Sequence, residues 1–161
     1  MQEGFLVRGY DPADWPAVEL LWVATGMGGA HRGDNATVVK RTLDGGARLL
    51  VVVRQEGGEG GEGGELVGTA WLTHDLRRSY LHHFGILPAY QGRGLAHDLM
   101  AAALTAAREM GFPCKLEVHR ENVRAVALYK KNGFKLLGEY DVYIARGLQD
   151  TTPGGRSGGG A

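Results

Sequence analysis

Gln91-Gly92-Arg93-Gly94-Leu95-Ala96 follows an apolar run closed by proline, Phe84-Gly85-Ile86-Leu87-Pro88, and opens a segment with apolar residues at Leu95, Leu99, Ala102, Ala103 and Ala106. The run predicts a strand, the spacing predicts a helix, and the glycines mark the turn between them. A helix start leaves several backbone N–H groups unpaired and carries a partial positive charge. Glycine at such a turn lets the main chain approach a ligand closely. Strand, glycine turn and helix start together make a cradle for an anion, most often phosphate. The stretch lacks the Gly-Lys-Ser/Thr ending that would bind a nucleotide's phosphates and Mg²⁺, so a P-loop hydrolase is excluded.

A second segment makes the first specific. Leu116-Glu117-Val118 reads as a strand, followed by Asn122, Ala127-Leu128-Tyr129 and Gly133-Phe134. With these residues the chain resembles the GNAT superfamily of acetyl-CoA-dependent N-acetyltransferases. The family's pyrophosphate signature (Arg or Gln, two residues, Gly, one residue, Gly or Ala) stands here as Gln91, Gly94 and Ala96. Its later element, an Asn opening a helix, then Ala-Leu-Tyr, then Gly-Phe, follows in the same order. The match covers roughly Tyr80 to Phe134, and the remainder agrees in its pattern of elements.

Length and composition suit one domain with a proper core. The chain has 161 residues, 43% hydrophobic and 22% charged. Lys+Arg and Asp+Glu number 18 each, giving a formal net charge of zero. That argues against a general nucleic-acid binder, which would carry a basic excess. The single cysteine, Cys114, cannot form an intrachain disulfide, which suits a reducing compartment. No apolar run is long enough to span a membrane, and no signal peptide is visible at the N-terminus. A cytoplasmic location is expected.

The expected order is β-α-α-β-β-β-α-β-α-β-β, an α/β (or α+β) fold. The elements are a strand at Phe5–Arg8, a helix capped by Asp11 and ended by Gly26, and a helix from Asp34-Asn35 to Gly45-Gly46. Strands follow at Arg48–Gln55, Leu66–Thr73 and Tyr80–Leu87. Then come a helix from about Gly92 to Met110, a strand at Lys115–His119, a helix from Asn122 to Lys131, and two final strands near Phe134–Glu139 and Val142–Arg146. Leu49-Leu50-Val51-Val52-Val53 is continuously apolar and should be buried on both faces. The domain is expected to span residues 1–148, with residues 56–65, all Gly and Glu, a disordered hairpin loop and residues 149–161 a disordered tail. The resemblance implies a twisted mixed sheet of about six to seven strands with four helices. Its fourth and fifth strands splay apart, and the cofactor's pantetheine wedges between them. An exposed final strand could pair with a second copy as a homodimer.

The same resemblance assigns roles. Acetyl-CoA is the co-substrate, a primary amine on a small molecule or protein N-terminus is the acceptor, and no metal is needed. Gln91, Gly92, Arg93, Gly94, Leu95, Ala96 and His97 would surround the pyrophosphate. Arg93 and His97 either add charge or are simply solvated. The backbone of Phe84, Gly85 and Ile86 would pair with pantetheine like an added strand, and the Ile86 amide would face the thioester carbonyl. Tyr129 corresponds to the general acid for the departing sulfur; a phenol with a pKa of about 10 is protonated at neutral pH. Asn122 would cap its helix and bond the pantetheine arm.

Glu117 sits twelve residues before Tyr129, the spacing at which the bacterial ribosomal-protein alanine N-acetyltransferases carry a Glu assigned as base. It is either a base with a pKa raised by desolvation or a partner in a structural salt bridge. Leu136-Leu137-Gly138-Glu139-Tyr140-Asp141 lacks the Tyr-rich approach of that branch. His82 and His83 should point to opposite faces of their strand, one of them either bordering the acceptor site and relaying a proton or merely packed or solvated. The Gly26-Met27-Gly28-Gly29 joint and the final hairpin should shape the acceptor site. A non-catalytic acetyl-CoA sensor on the same fold is the alternative.

Overall fold

A computed structural model describes residues 2–28, 33–55, 64–139 and 141–144. Its strands are β1 (Phe5–Gly9), β2 (Arg48–Arg54), β3 (Glu65–His74), β4 (Ser79–Ile86) and β5 (Cys114–Leu116). Its helices are α1 (Trp15–Thr25), α2 (Ala36–Asp44), α3 (Leu95–Met110) and α4 (Val123–Lys131). The strands form one sheet in sequence order. β1 to β4 are antiparallel neighbours, and β5 joins β4 in parallel after the α3 crossover.

Local chemistry sets the helix limits. The Asp11 carboxylate accepts from Ala13 N–H and Asp14 returns the favour to Asp11 N–H, a capping box on the short turn that leads into α1. Gly26, in the left-handed region, ends α1. Asn35 caps α2 by accepting from Val38 N–H. An isolated helix of eleven residues is marginal in water. Val18, Leu21 and Trp22, all buried, hold α1 in place, each at about 1.5–3 kcal/mol of favourable transfer.

The sheet separates two cores. On one face Val18, Leu21, Trp22 and Val39 of the first two helices pack on Leu49, Val51, Val53 and Trp71. On the other, Leu95, Leu99, Met100 and Ala103 of α3 pack on Val52, Val67, Leu72 and Leu81. Alternate residues of β2 therefore enter opposite cores, which is why its apolar run does not alternate with polar residues.

Several boundaries differ from the sequence reading; α1, for one, begins at Trp15, after the short turn that Asp11 caps. The strand expected at Lys115–His119 spans only Cys114–Leu116, and the helix expected from Gly92 starts at Leu95. The described residues contain five strands, because 134–139 and 142–144 pair with no other strand. Leu136, Leu137, Val142, Tyr143 and Ile144 are exposed there, so their apolar pattern meets no covering layer. The expected dimer edge on a final strand has no strand to rest on among the described residues. Glu65 opens β3 instead of ending the Gly/Glu loop; residues 56–63 and the tail lie outside the described residues. Among the described residues no helix is long and apolar enough to cross a membrane.

Candidate active site

β4 and β5 pair only at Ser79–Cys114, Tyr80–Lys115 and Leu81–Leu116. Beyond Leu81, β4 continues to Ile86 while the other chain turns away at Glu117. The gap forms a cleft of about 490 Å³ with Phe84, His82, Glu117, Asn122 and Tyr129 among its walls. Leu87 N–H donates to Val67 C=O at 2.8 Å, so strand alternation turns the N–H and C=O of Ile86 the other way, toward the gap. Gln91 Nε2 donates to that Ile86 carbonyl at 3.0 Å. The first residue of the glycine signature thus braces the end of β4 with its side chain.

A bulge interrupts β4 at this point. Gly85 lies opposite Thr69 but His82 lies opposite Trp71, leaving one extra residue on β4. His83 takes a φ of 45°, a conformation uncommon outside glycine. The bulge cancels the expected alternation of the histidines. The rings of His82 and His83 lie 5.9 and 5.3 Å from the Trp71 ring, on the same face of the sheet.

Buried bonds hold the bulge in place. Trp22 Nε1–H donates to Thr69 Oγ1 at 2.9 Å, and that hydroxyl donates to His83 C=O at 2.8 Å. His83 Nε2 lies 3.1 Å from Asp34 Oδ2, with its ring 4.2 Å from Trp22. Met27 covers Gly85, where a Cβ would come within 2.6 Å of its sulfur. Gly26 and Met27 also line the cleft, so the joint after α1 does border the site; Gly29 lies outside the described residues.

At the start of α3, Gly92 and Gly94 adopt φ of 78° and 84°, which L side chains rarely do. Among the described residues no side chain caps this helix, so no side chain satisfies its first amides or offsets its positive end. Leu95 is buried in the core, so it can offer only its backbone. Ala96 packs beside it. His97 is exposed, and its N–H is turned to Gly94 C=O at 2.9 Å. The exposed Arg93 guanidinium lies over the Tyr90 ring at 5.5 Å.

Tyr129 is only 8% exposed. It meets Phe84 and Phe134 edge to face at 5.9 and 5.8 Å. Burial pushes its phenol up to about 12. Asn122 accepts from Ala125 N–H at 3.2 Å and so caps α4 while lining the cleft. Glu117 also lines the cleft, but its side chain is 60% exposed and 3.8 Å from Lys115 Nζ. The burial on which a desolvated base was argued is therefore lacking, and the ion-pair partner is present. Thr69 and Trp22 were not singled out in the sequence. A threonine inside the apolar β3 run was the available signal.

The acetyltransferase (GNAT) family matches residues 19–134. Over 89 residues the chain is 33% identical to the uncharacterized N-acetyltransferase YycN of Bacillus subtilis, covering 52% of this chain and 55% of that protein. Over 58 residues it is 43% identical to the N-alpha-acetyltransferase RimI of Mycobacterium tuberculosis, covering 36% and 35%. The chain thus spans about half or less of the length of these relatives. Its fold is similar to that of yncA from Salmonella typhimurium, solved with its cofactor acetyl-CoA; the TM-score is 0.64, at 20% identity over 81% of this chain and 79% of that one. The chain belongs to the GNAT acetyltransferase family.

Proposed function

We propose that this protein is an N-acetyltransferase that moves an acetyl group from acetyl-CoA to a primary amine by direct attack in a ternary complex. The observation that carries this reading is the parting of β4 from β5, which opens a cleft lined by Phe84, Asn122 and the buried Tyr129. The uncapped, glycine-shaped start of α3 fits a pyrophosphate. The open edge of β4 at Phe84, Gly85 and Ile86 fits an extended arm that pairs like a strand.

Acetyl-CoA supplies an activated acetyl carbon on a thiol leaving group. The Ile86 N–H, fixed by the strand, stabilises negative charge developing on the carbonyl oxygen. Tyr129 remains protonated throughout the neutral range because burial raises its pKa to about 12. Full transfer to a thiolate with an ordinary pKa of about 8.5 is uphill, so the phenol acts mainly as a hydrogen-bond donor to the departing sulfur. Asn122 caps α4 with its oxygen and keeps its NH2 for the pantetheine arm.

The reading is tested with purified protein, acetyl-CoA and an amine panel that includes spermidine and an alanine-starting peptide, following free thiol release. Acetyl-CoA-dependent acetylation of at least one amine supports it. Acetyl-CoA binding without any turnover would favour the sensor alternative.

A further inference from the structure

We propose that His82 takes the proton from the attacking amine, with Thr73 holding its ring. The inference rests on the acetyltransferase reading and names a further catalytic residue within it. His82 stands on β4 just past the last residue that pairs with β5, on the cleft wall. The bulge places it on the same face as His83, and its ring stacks on Tyr80, with centroids 6.2 Å apart and planes at 21°. Its Nε2 lies 2.9 Å from Thr73 Oγ1 on the neighbouring strand. The hydroxyl can take either role toward the ring; in the tautomer that donates Nε2–H to it, Nδ1 is the basic atom.

The charges around the ring are mixed. His83 and Tyr80 flank it on β4, Lys115, Glu117 and His119 line the facing wall, Tyr129 comes from α4, and Asp34 approaches from the loop before α2. His82 is an exposed residue whose ring stacks on Tyr80 and reaches Thr73 across the sheet. Desolvation lowers its proton affinity most and repulsion from His83 adds to this, while Glu117 and Asp34 oppose it. A neutral imidazole results at neutral pH, which is the form a base requires. Glu117 is the rival; like His82 it reaches solvent, but its carboxylate lies beside the Lys115 ammonium at 3.8 Å.

The step balances as follows. The neutral amine nitrogen forms the C–N bond to the acetyl carbon as the C–S bond breaks. The surplus N–H proton passes to His82 Nδ1 and then to solvent. The sulfur leaves as a thiolate hydrogen-bonded to Tyr129 and is protonated from solvent.

The test compares kcat/KM against pH for wild type, His82→Gln and Glu117→Gln, using the fastest amine of the panel above. Wild type should lose activity as pH falls through the His82 titration. His82→Gln should lose that acid limb and on the order of 100-fold in rate, with acetyl-CoA affinity unchanged. In His82→Ala, added imidazole should restore part of the rate, which a purely structural role would not allow. Thr73→Val, which keeps the ring and removes its partner, should lower kcat and move the acid limb. An active His82→Gln that keeps the limb, with Glu117→Gln losing it, would overturn this inference alone. A wild type that neither binds acetyl-CoA nor acetylates any amine would overturn the reading of function beneath it.

Discussion

Tyr129 carries the reading at the scale of single residues. Its hydroxyl is the one polar atom on a side chain otherwise enclosed by Phe84, Phe134 and the core. Tyr129→Phe preserves that packing and removes only the donor. It should lower kcat on the order of 100-fold while acetyl-CoA affinity, measured by calorimetry, stays within about twofold. With the phenol at about 12, no loss of rate between pH 7 and pH 10 should trace to this residue, and the wild-type pH profile checks that. Gly94 makes the matching case for the cofactor end. Its φ of 84° and the Gln2 Nε2 atom 2.8 Å from where a Cβ would sit both oppose a side chain. Gly94→Ala should cost about 1–2 kcal/mol of cradle geometry. Acetyl-CoA binding should weaken by roughly 5- to 30-fold, read by the same titration.

At the scale of elements, the β4 bulge is the feature on which the site depends. Thr69 is fully buried and serves both Trp22 and the His83 carbonyl. Thr69→Val keeps the shape but strands the buried indole N–H, at a cost of about 1–3 kcal/mol. The melting temperature should fall by several degrees, at roughly 2–4 °C per kcal/mol for a chain of this size. Turnover should drop as well, because the bulge sets the course of β4 toward Ile86. Unchanged stability and turnover would show that the relay does not hold the bulge. The bulge also marks where the sequence stops being legible. Gly26, Asn35 and Asn122 announce helix limits, and Asp11 the short turn before α1, because capping is local chemistry. The burial of β2 on both faces is legible because hydrophobic period is local too. An extra residue in β4 depends on what Thr69 and Trp22 do from elsewhere in the chain, so the two histidines are misread as facing apart. Of the two readings of Glu117, the structure supplies the ion-pair partner and removes the burial, for the same kind of reason. Its apolar neighbours suggest burial, but the parting of the strands leaves it in solvent.

For the whole molecule, the proposed function implies a sheet completed by acetyl-CoA. β4 and β5 hold together at one end and leave the other open, and α3 follows β4 after a short turn, with no side-chain cap among the described residues. A ligand that fills this gap binds only the folded state, so acetyl-CoA at 100 times its Kd should add about 2.7 kcal/mol of stability. That corresponds to a melting temperature raised by roughly 5–10 °C, and Gly94→Ala should blunt the shift. The most direct measurement is a calorimetric titration of the intact protein with acetyl-CoA, CoA and ATP. The account predicts micromolar binding of acetyl-CoA and no binding of ATP. No heat from acetyl-CoA would contradict it, because the cleft and cradle would then lack the ligand their geometry is argued to fit.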